Sequence, residues 1–332
     1  MVAVQKIGVL SLGEMGAGIA RLLVAHDYTV ATNCQGRSED TLSRARNAGV
    51  ELLTSDQELV QKCSVVLSVV PPRDAEATAQ RVIDALSGGS SRADRLFYAD
   101  LNAVSPATTK RIAAMFEKAR APIRFIDGCI LGAPPRLKSD ADPGTNVSMS
   151  DTTSKEFNWA RPRIPISGPH SLAEELEGGE RLASVLNLRS ISSEIGAASG
   201  LKMCFAAMTK GFTAIATQSF STAHRLGVAG ELRKEMTALI PTHLGEAEKG
   251  VPSMVPKAYR WVREMEEIAA TMNEEGGWGR DIFTGAAGVY KAVAEDEVLS
   301  KEKTRKRNRG TSIEDVAAAI GEGFERKRKK TE

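Results

Sequence analysis

The 332-residue chain has little of several things that would define its class. It has four cysteines, Cys34, Cys63, Cys129 and Cys204, and no CxxC spacing among them. A disulfide scaffold or a thiolate metal site needs closer groupings, so reduced thiols in a cytoplasmic compartment are the expectation. Met1–Gly8 reads as the start of a strand rather than a leader, so the sequon Asn146-Val147-Ser148 is expected to carry no glycan. The histidines (His26, His170, His224, His243) are dispersed, which predicts no metal site. No apolar run approaches the ~20 residues of a membrane span. A formal net charge of +2 gives no general case for a membrane surface or for nucleic acid as a partner. Basic residues gather only at Lys301–Arg309 and Arg326–Lys330, flanking an amphipathic stretch at Ile313–Phe324.

What is present is alternation. Val4–Leu10, Thr29–Thr32, Val65–Val70, Leu96–Ala99 and Arg124–Ile130 are short apolar runs suited to buried strands. Between them lie helical patterns at Ala17–Ala25, Ser38–Asn47, Asp56–Lys62, Asp74–Leu86 and Ser105–Ala119. This order predicts an α/β fold, a doubly wound parallel sheet of Rossmann type. From Leu137 to Arg163 the pattern gives way to Ser, Asp, Thr and Pro, which reads as an insertion. A strand at Ile164–Ser167 and a helix near Leu172–Leu176 follow. Beyond Gly196 the chain reads as an all-α domain, with helices through about Leu226, then at Glu231–His243, Tyr259–Glu274 and Ile282–Glu295. The expected organisation is a nucleotide domain over 1–195, a helical substrate and dimerisation domain over 196–300, and a basic extension over 301–332.

SLGEMG follows the first strand directly and opens a helix. A dinucleotide loop needs one glycine where the pyrophosphate approaches the backbone and another where helix packs on strand. Gly13 and Gly16 meet these needs, while Ser11 replaces the first glycine of the fingerprint. Ser11, Leu12, Gly13, Glu14 and Met15 are therefore the candidate pyrophosphate contacts. After the second strand, Asn33-Cys34-Gln35-Gly36-Arg37-Ser38 lacks the acid that would bind a ribose 2′-hydroxyl. Arg37 offers a guanidinium suited to a 2′-phosphate, and Ser38 starts a helix whose amides favour an anion. NADP is the expected cofactor; an ordinary surface arginine is the alternative.

Residues 196–211, GAASGLKMCFAAMTKG, place Lys202 in an apolar helix. Such a lysine either snorkels to water or sits where its charge is used. Four landmarks in the right order decide how to read it. Ile7–Met15, Val69-Val70-Pro71-Pro72, Asp127–Ala133 and Gly196–Ala206 resemble motifs of the β-hydroxyacid dehydrogenases, relatives of 6-phosphogluconate dehydrogenase. The stretch Met254–Gly276 resembles the shorter C-terminal domain of one branch of that family. The resemblance implies a small-molecule substrate, a homodimer formed through the helical domain, and Lys202 as general acid/base. It also implies Val70 and Pro71 beside the nicotinamide ribose, and Asp127, Leu131 and Gly132 in the substrate loop.

Two positions depart from the family pattern. The substrate-binding asparagine after the lysine is Ala206, and the loop serine is Leu131. Both changes remove polar groups and point to a less polar or differently shaped substrate. Ser199 and Thr209, on the helix face of Lys202 at uniform helical spacing, are candidate replacements. Asn102, after the fifth strand, is another candidate contact. Lys210 falls about 80° away from Lys202 at ~100° per residue. The expected activity is hydride transfer between NADP(H) and a small hydroxyl/carbonyl pair. An imine reductase, or a non-catalytic dinucleotide-binding protein, is the alternative.

Overall fold

The computed structural model describes residues 6–88, 94–138, 158–303 and 307–331. The chain forms two compact units, Met1–Lys202 and Met203–Glu332. Strands β1 (Lys6–Leu10), β2 (Thr29–Asn33), β3 (Glu51–Leu53), β4 (Val65–Ser68), β5 (Leu96–Asp100) and β6 (Ile123–Gly128) build most of the first unit's sheet. Two short strands, β7 (Arg136–Leu137) and β8 (Trp159–Ala160), form a separate antiparallel ribbon. Strands β9 (Ile164–Ser167) and β10 (Leu188–Ser192) complete the sheet, in the order β3-β2-β1-β4-β5-β6-β9-β10. All neighbouring pairs are parallel except β6 and β9.

The central strands alternate between two cores, as a sheet covered on both faces requires. Ile7, Val9, Val65, Leu67, Phe97 and Ala99 face one core with helices α1 (Glu14–Ala25), α2 (Glu39–Asn47) and a later helix at Gly179–Leu186. Leu10, Val66, Leu96 and Tyr98 face the other, with α3 (Asp56–Lys62), α4 (Ala75–Ser87) and α5 (Pro106–Lys118). Ser55 and Ser105 cap α3 and α5 by accepting bonds from Glu58 N and Thr108 N, and Pro106 occupies the first turn. The doubly wound sheet is therefore as expected, and β3 and β10 are additions. Three residues are too short to show a period, and β10 (LRSIS) is a half-exposed edge without an apolar run. Next come α6 (Leu172–Glu175), α7 (Gly179–Leu186) and α8 (Ala197–Ala206).

The segment read as an insertion, 137–163, lies mostly outside the described residues. Its described ends are paired: β7 lies on β8, Lys138 N donates to Asn158 O, and Leu131 and Arg163 exchange two backbone bonds.

The second unit is helical. A π turn at Ala207–Gly211 leads into α9 (Phe212–Arg225), followed by α10 (Ala229–Leu239), α11 (Pro241–Met254), α12 (Ala258–Glu274), α13 (Asp281–Ala294) and α14 (Ile313–Thr331). Glu231–His243 is not one helix, because Pro241 cannot continue a helix and begins a new one instead. Trp261 on α12 and Tyr290 on α13 meet edge to face at 5.2 Å in the core of this unit. Part of the segment expected as a separate basic extension packs into the second unit. Ile313, Val316, Ala317 and Ala319 of α14 are buried, and Arg326 pairs with buried Asp296. No described helix is long and apolar enough to cross a membrane.

Candidate functional site

The end of β1 and the start of α1 form the phosphate loop. Gly13 is the N-cap of α1, and a Cβ built on it would meet nothing within 4 Å. That face of the backbone is open where the fingerprint requires a pyrophosphate to approach. Gly16 has the opposite reason, since a Cβ there would collide with the Ser11 carbonyl oxygen. A third glycine, Gly18, lets Pro134 and Pro135 pack on α1, with their nearest atoms 3.1 and 3.0 Å from where a Cβ would lie. Leu12 is fully buried, so it faces the loop only through its backbone. Ser11 N donates to Val69 O, Glu14 is exposed, and Met15 packs on the core.

Beyond β2 the structure gathers cations and hydroxyls. Arg37 and Ser38 are exposed at the turn into α2. Ser38 Oγ lies 3.2 Å from Thr41 Oγ1, which accepts a 3.0 Å bond from Arg44 Nη2. Arg44 Nε reaches back to Leu12 O of the phosphate loop at 2.9 Å. Burial raises the Cys34 thiol pKa, while Thr32 and the guanidinium groups of Arg37 and Arg44 oppose the rise. Thr41 and Arg44 are missing from the sequence reading. Thr41 and Arg44, three positions apart on α2, are neighbours on its surface. Asn33 is tied internally: its amide donates to Asp56 Oδ1 at 2.8 Å and its oxygen accepts from Gln35 N. An open glycine at a helix start fits the pyrophosphate of a nicotinamide dinucleotide.

The third part lies at the ends of β4, β5 and β6. Val70 N donates to Asn102 Oδ1 at 2.7 Å, and Asn102 Nδ2 donates to Ser68 Oγ at 3.0 Å. Asn102 is buried, so it fixes the Val70-Pro71 strand end rather than presenting its side chain to a ligand. Lys202 Nζ donates to Ile130 O at 2.7 Å. Burial lowers the lysine's pKa, and the neighbouring Cys129 thiol, itself pushed up to about 12 by burial, opposes that only in part.

Three expected substrate contacts, Asp127, Ser199 and Thr209, are placed differently by the structure. Asp127 is fully buried, and Ser199 is buried with its hydroxyl donating to Asp127 Oδ1 at 2.6 Å. An enclosed, mutually bonded pair does not reach a substrate. Thr209 lies in the π turn, where the uniform spacing that placed it with Lys202 breaks down, and its hydroxyl turns back onto Phe205 O. The same break removes the basis for the 80° separation of Lys210. That lysine pairs with Glu264 and lies over the Trp261 ring at 4.8 Å.

The loop after β6 is apolar. Cys129, Ile130, Leu131, Gly132, Ala133, Pro134 and Pro135 carry no hydroxyl, amide or charged side chain. Leu131 N is bonded to Arg163 O at 2.8 Å, and the prolines have no N–H. Gly132 is exposed with φ +129°. Among the described residues no group of His, Cys, Asp or Glu could hold a metal ion.

Residues 6–91 match the model described as NADP oxidoreductase, coenzyme F420-dependent, and residues 223–293 match DUF1932, a domain of unknown function. An uncharacterized 28.5 kDa protein of Methanothermus fervidus is 27% identical over 228 residues, 69% of this chain and 74% of the relative. The 3-hydroxyisobutyrate dehydrogenase of Mycobacterium tuberculosis, solved with L-serine, superposes with TM-score 0.59 at 18% identity, covering 96% of this chain and 98% of that one. An imine reductase variant from Myxococcus stipitatus in complex with NAD+ gives TM-score 0.51 at 15% identity, covering 95% and 99%. These likenesses show a shared fold.

Proposed function

For a chain with the 3-hydroxyacid dehydrogenase fold, built from an NADP-oxidoreductase-type domain and a DUF1932 domain, we propose an NADP-dependent oxidoreductase that interconverts a small hydroxyl/carbonyl pair, with Lys202 as acid/base. The observation that carries the reading is the Lys202 ammonium bonded to Ile130 O and weakened as a base by burial. A lowered pKa lets an amine exchange a proton near neutral pH, which an ordinary surface lysine does poorly.

The nicotinamide supplies or accepts the hydride when it is bound. The protein's part is to hold the cofactor and manage the proton. The amides at the start of α1, exposed beside the open face of Gly13, would bind the pyrophosphate. Arg37, Arg44, Ser38 and Thr41 would hold the 2′-phosphate and favour NADP over NAD. In the oxidative direction Lys202 Nζ takes the hydroxyl proton, and in reduction it returns it to the carbonyl oxygen. The Ile130 carbonyl keeps one ammonium proton occupied and aims the others.

The apolar loop Cys129–Pro135 favours a weakly polar substrate, for which a cyclic imine is the second candidate class. A homodimer through the second unit is part of this reading. Met208, Ile215, Leu226 and Ile282 are exposed large apolar groups there, beside grooves along α9 and α13.

The test is Lys202→Met, assayed with NADPH and a panel of small ketones, oxoacids and cyclic imines. NADPH affinity should stay within about twofold, and turnover should fall by roughly 10²–10⁴. Full turnover in the variant would overturn the acid/base assignment and favour the imine reading.

A further inference from the structure

Asp127, next to the last residue of β6, is a buried carboxylate that accepts bonds from backbone amides and hydroxyls. What surrounds it is the beginning of α8. Asp127 Oδ2 accepts from Gly196 N at 2.9 Å, Ser199 N at 3.2 Å and Ser167 Oγ at 2.8 Å. Its Oδ1 accepts from Ser199 Oγ at 2.6 Å, with Thr109 Oγ1 at 3.5 Å. Ser167 Oγ in turn accepts from Ala198 N at 3.0 Å. Three amides in the first turn of α8 are thus satisfied from the sheet, and the positive end of the helix compensates the buried charge.

Three residues after Asp127, the same chain segment supplies the carbonyl of Ile130, which accepts from Lys202 Nζ. Lys202 lies three residues after Ser199 on α8, close to one turn further on. One short stretch of backbone therefore grips α8 twice, once at its start and once through the lysine. We propose that Asp127 is the positioning residue for Lys202: together with Ser167 and Ser199 it latches the first turn of α8 so that the ammonium meets Ile130 O in a desolvated setting. This rests on Lys202 being the acid/base, but it concerns how the lysine is placed rather than what it reacts with.

The groups around the latch are few. Cys129 on the segment after β6 is the titratable group that acts on Lys202, and burial keeps its thiol neutral. Asp100 on β5 is the register partner of Asp127, and the Lys110 Cε atom on α5 lies 3.0 Å from where a Cβ on Gly196 would be. Loosening the latch hydrates the ammonium and returns its pKa towards that of an exposed lysine.

The experiment reads Lys202 directly and needs no substrate. The full-length protein is labelled with [13Cε]lysine, and the Lys202 resonance is identified by its loss in Lys202→Met. Its pH titration is then compared in Asp127→Asn, in Ser167→Ala, in Ser199→Ala and in the double serine variant. The serine variants remove bonds to Asp127 without changing any charge. The double variant and Asp127→Asn should both move the titration upward, by about one pH unit. A pure charge effect would instead move Asp127→Asn downward and leave the serine variants unmoved; either result in a folded protein overturns the proposal. Where Asp127→Asn does not fold, the serine variants decide. Lost turnover on Lys202→Met is a separate measurement, so failure of the acid/base reading is distinguishable from failure of the latch.

Discussion

Asp100 carries a prediction about stability whose size follows from its surroundings. It lies at the end of β5, almost wholly buried, and its Oδ2 has no hydrogen-bond partner among the described residues. Burial, with the charge of Asp127 as a smaller contribution in the same direction, raises its pKa from 3.8 to about 7, against the bonds it receives from Asn102. The folded state therefore keeps a proton that the unfolded chain releases near pH 4. Between these values the native state binds more protons than the unfolded state, so stability falls as pH rises. It is highest below about pH 4, declines towards pH 7 and is flat above. Three units at ~1.4 kcal/mol each set an upper limit of ~4 kcal/mol, and relaxation around the carboxylate reduces it to roughly 2. Asp100→Asn removes the titration while keeping the shape and an oxygen for Asn102 N. Urea unfolding at pH 5 and pH 8 measures the difference. The variant should gain about 2 kcal/mol on the parent at pH 8 relative to pH 5. An unchanged difference between the two pH values would show that Asp100 ionises normally in the fold.

Two further outcomes concern the cofactor and the assembly. Arg37→Asp should reverse much of the preference for NADPH over NADH, and Arg44→Ala should weaken NADPH by about 1–2 kcal/mol with little effect on NADH, both read by nucleotide fluorescence titration. Equal affinities of the parent for the two nucleotides would remove the basis of the 2′-phosphate assignment. Ile215→Glu combined with Ile282→Glu should convert a dimer to a monomer in light scattering, since a charge on an apolar interface is strongly unfavourable. A parent protein that is already monomeric would refute the interface.

Parts of this molecule were legible in its sequence because the governing physics is local. Val65–Ser68 is a run of apolar or small residues flanked by helical patterns, and burial on both faces follows from that alone. Ser105-Pro106 marks a helix start through capping and a fixed φ, without help from the rest of the fold. The roles of Asp127 and Ser199 were not legible in this way. An acid in a loop motif and a serine one helical turn before Lys202 each look like ligands until their partner, some 70 residues away in the chain, is known. Their mutual bond is a product of β6 meeting α8. Arg44 was missed for a related reason: its bond to Leu12 spans 32 residues and depends on how α2 lies against α1's loop. The π turn at Ala207–Gly211 has no residue signature of its own, and it displaced Thr209 from the face assigned by a uniform helical period.

The paired backbones at Leu131 and Arg163, and at β7 and β8, have a consequence for how this domain tolerates change. Lys138 and Asn158, which flank residues 139–157, are joined by a hydrogen bond. The closure entropy of whatever lies between is set by that ladder, and doubling or halving the length changes it by only ~0.6 kcal/mol. The described strands of the sheet and the described residues of its two cores lie outside 139–157. Sequence can therefore be added or removed there almost independently of folding stability. The position is tied through Arg163 to Leu131, next to Ile130, whose carbonyl accepts from Lys202. On the proposed reading, a change of length at this edge alters the surroundings of Leu131 and leaves the turn at Gly13 untouched.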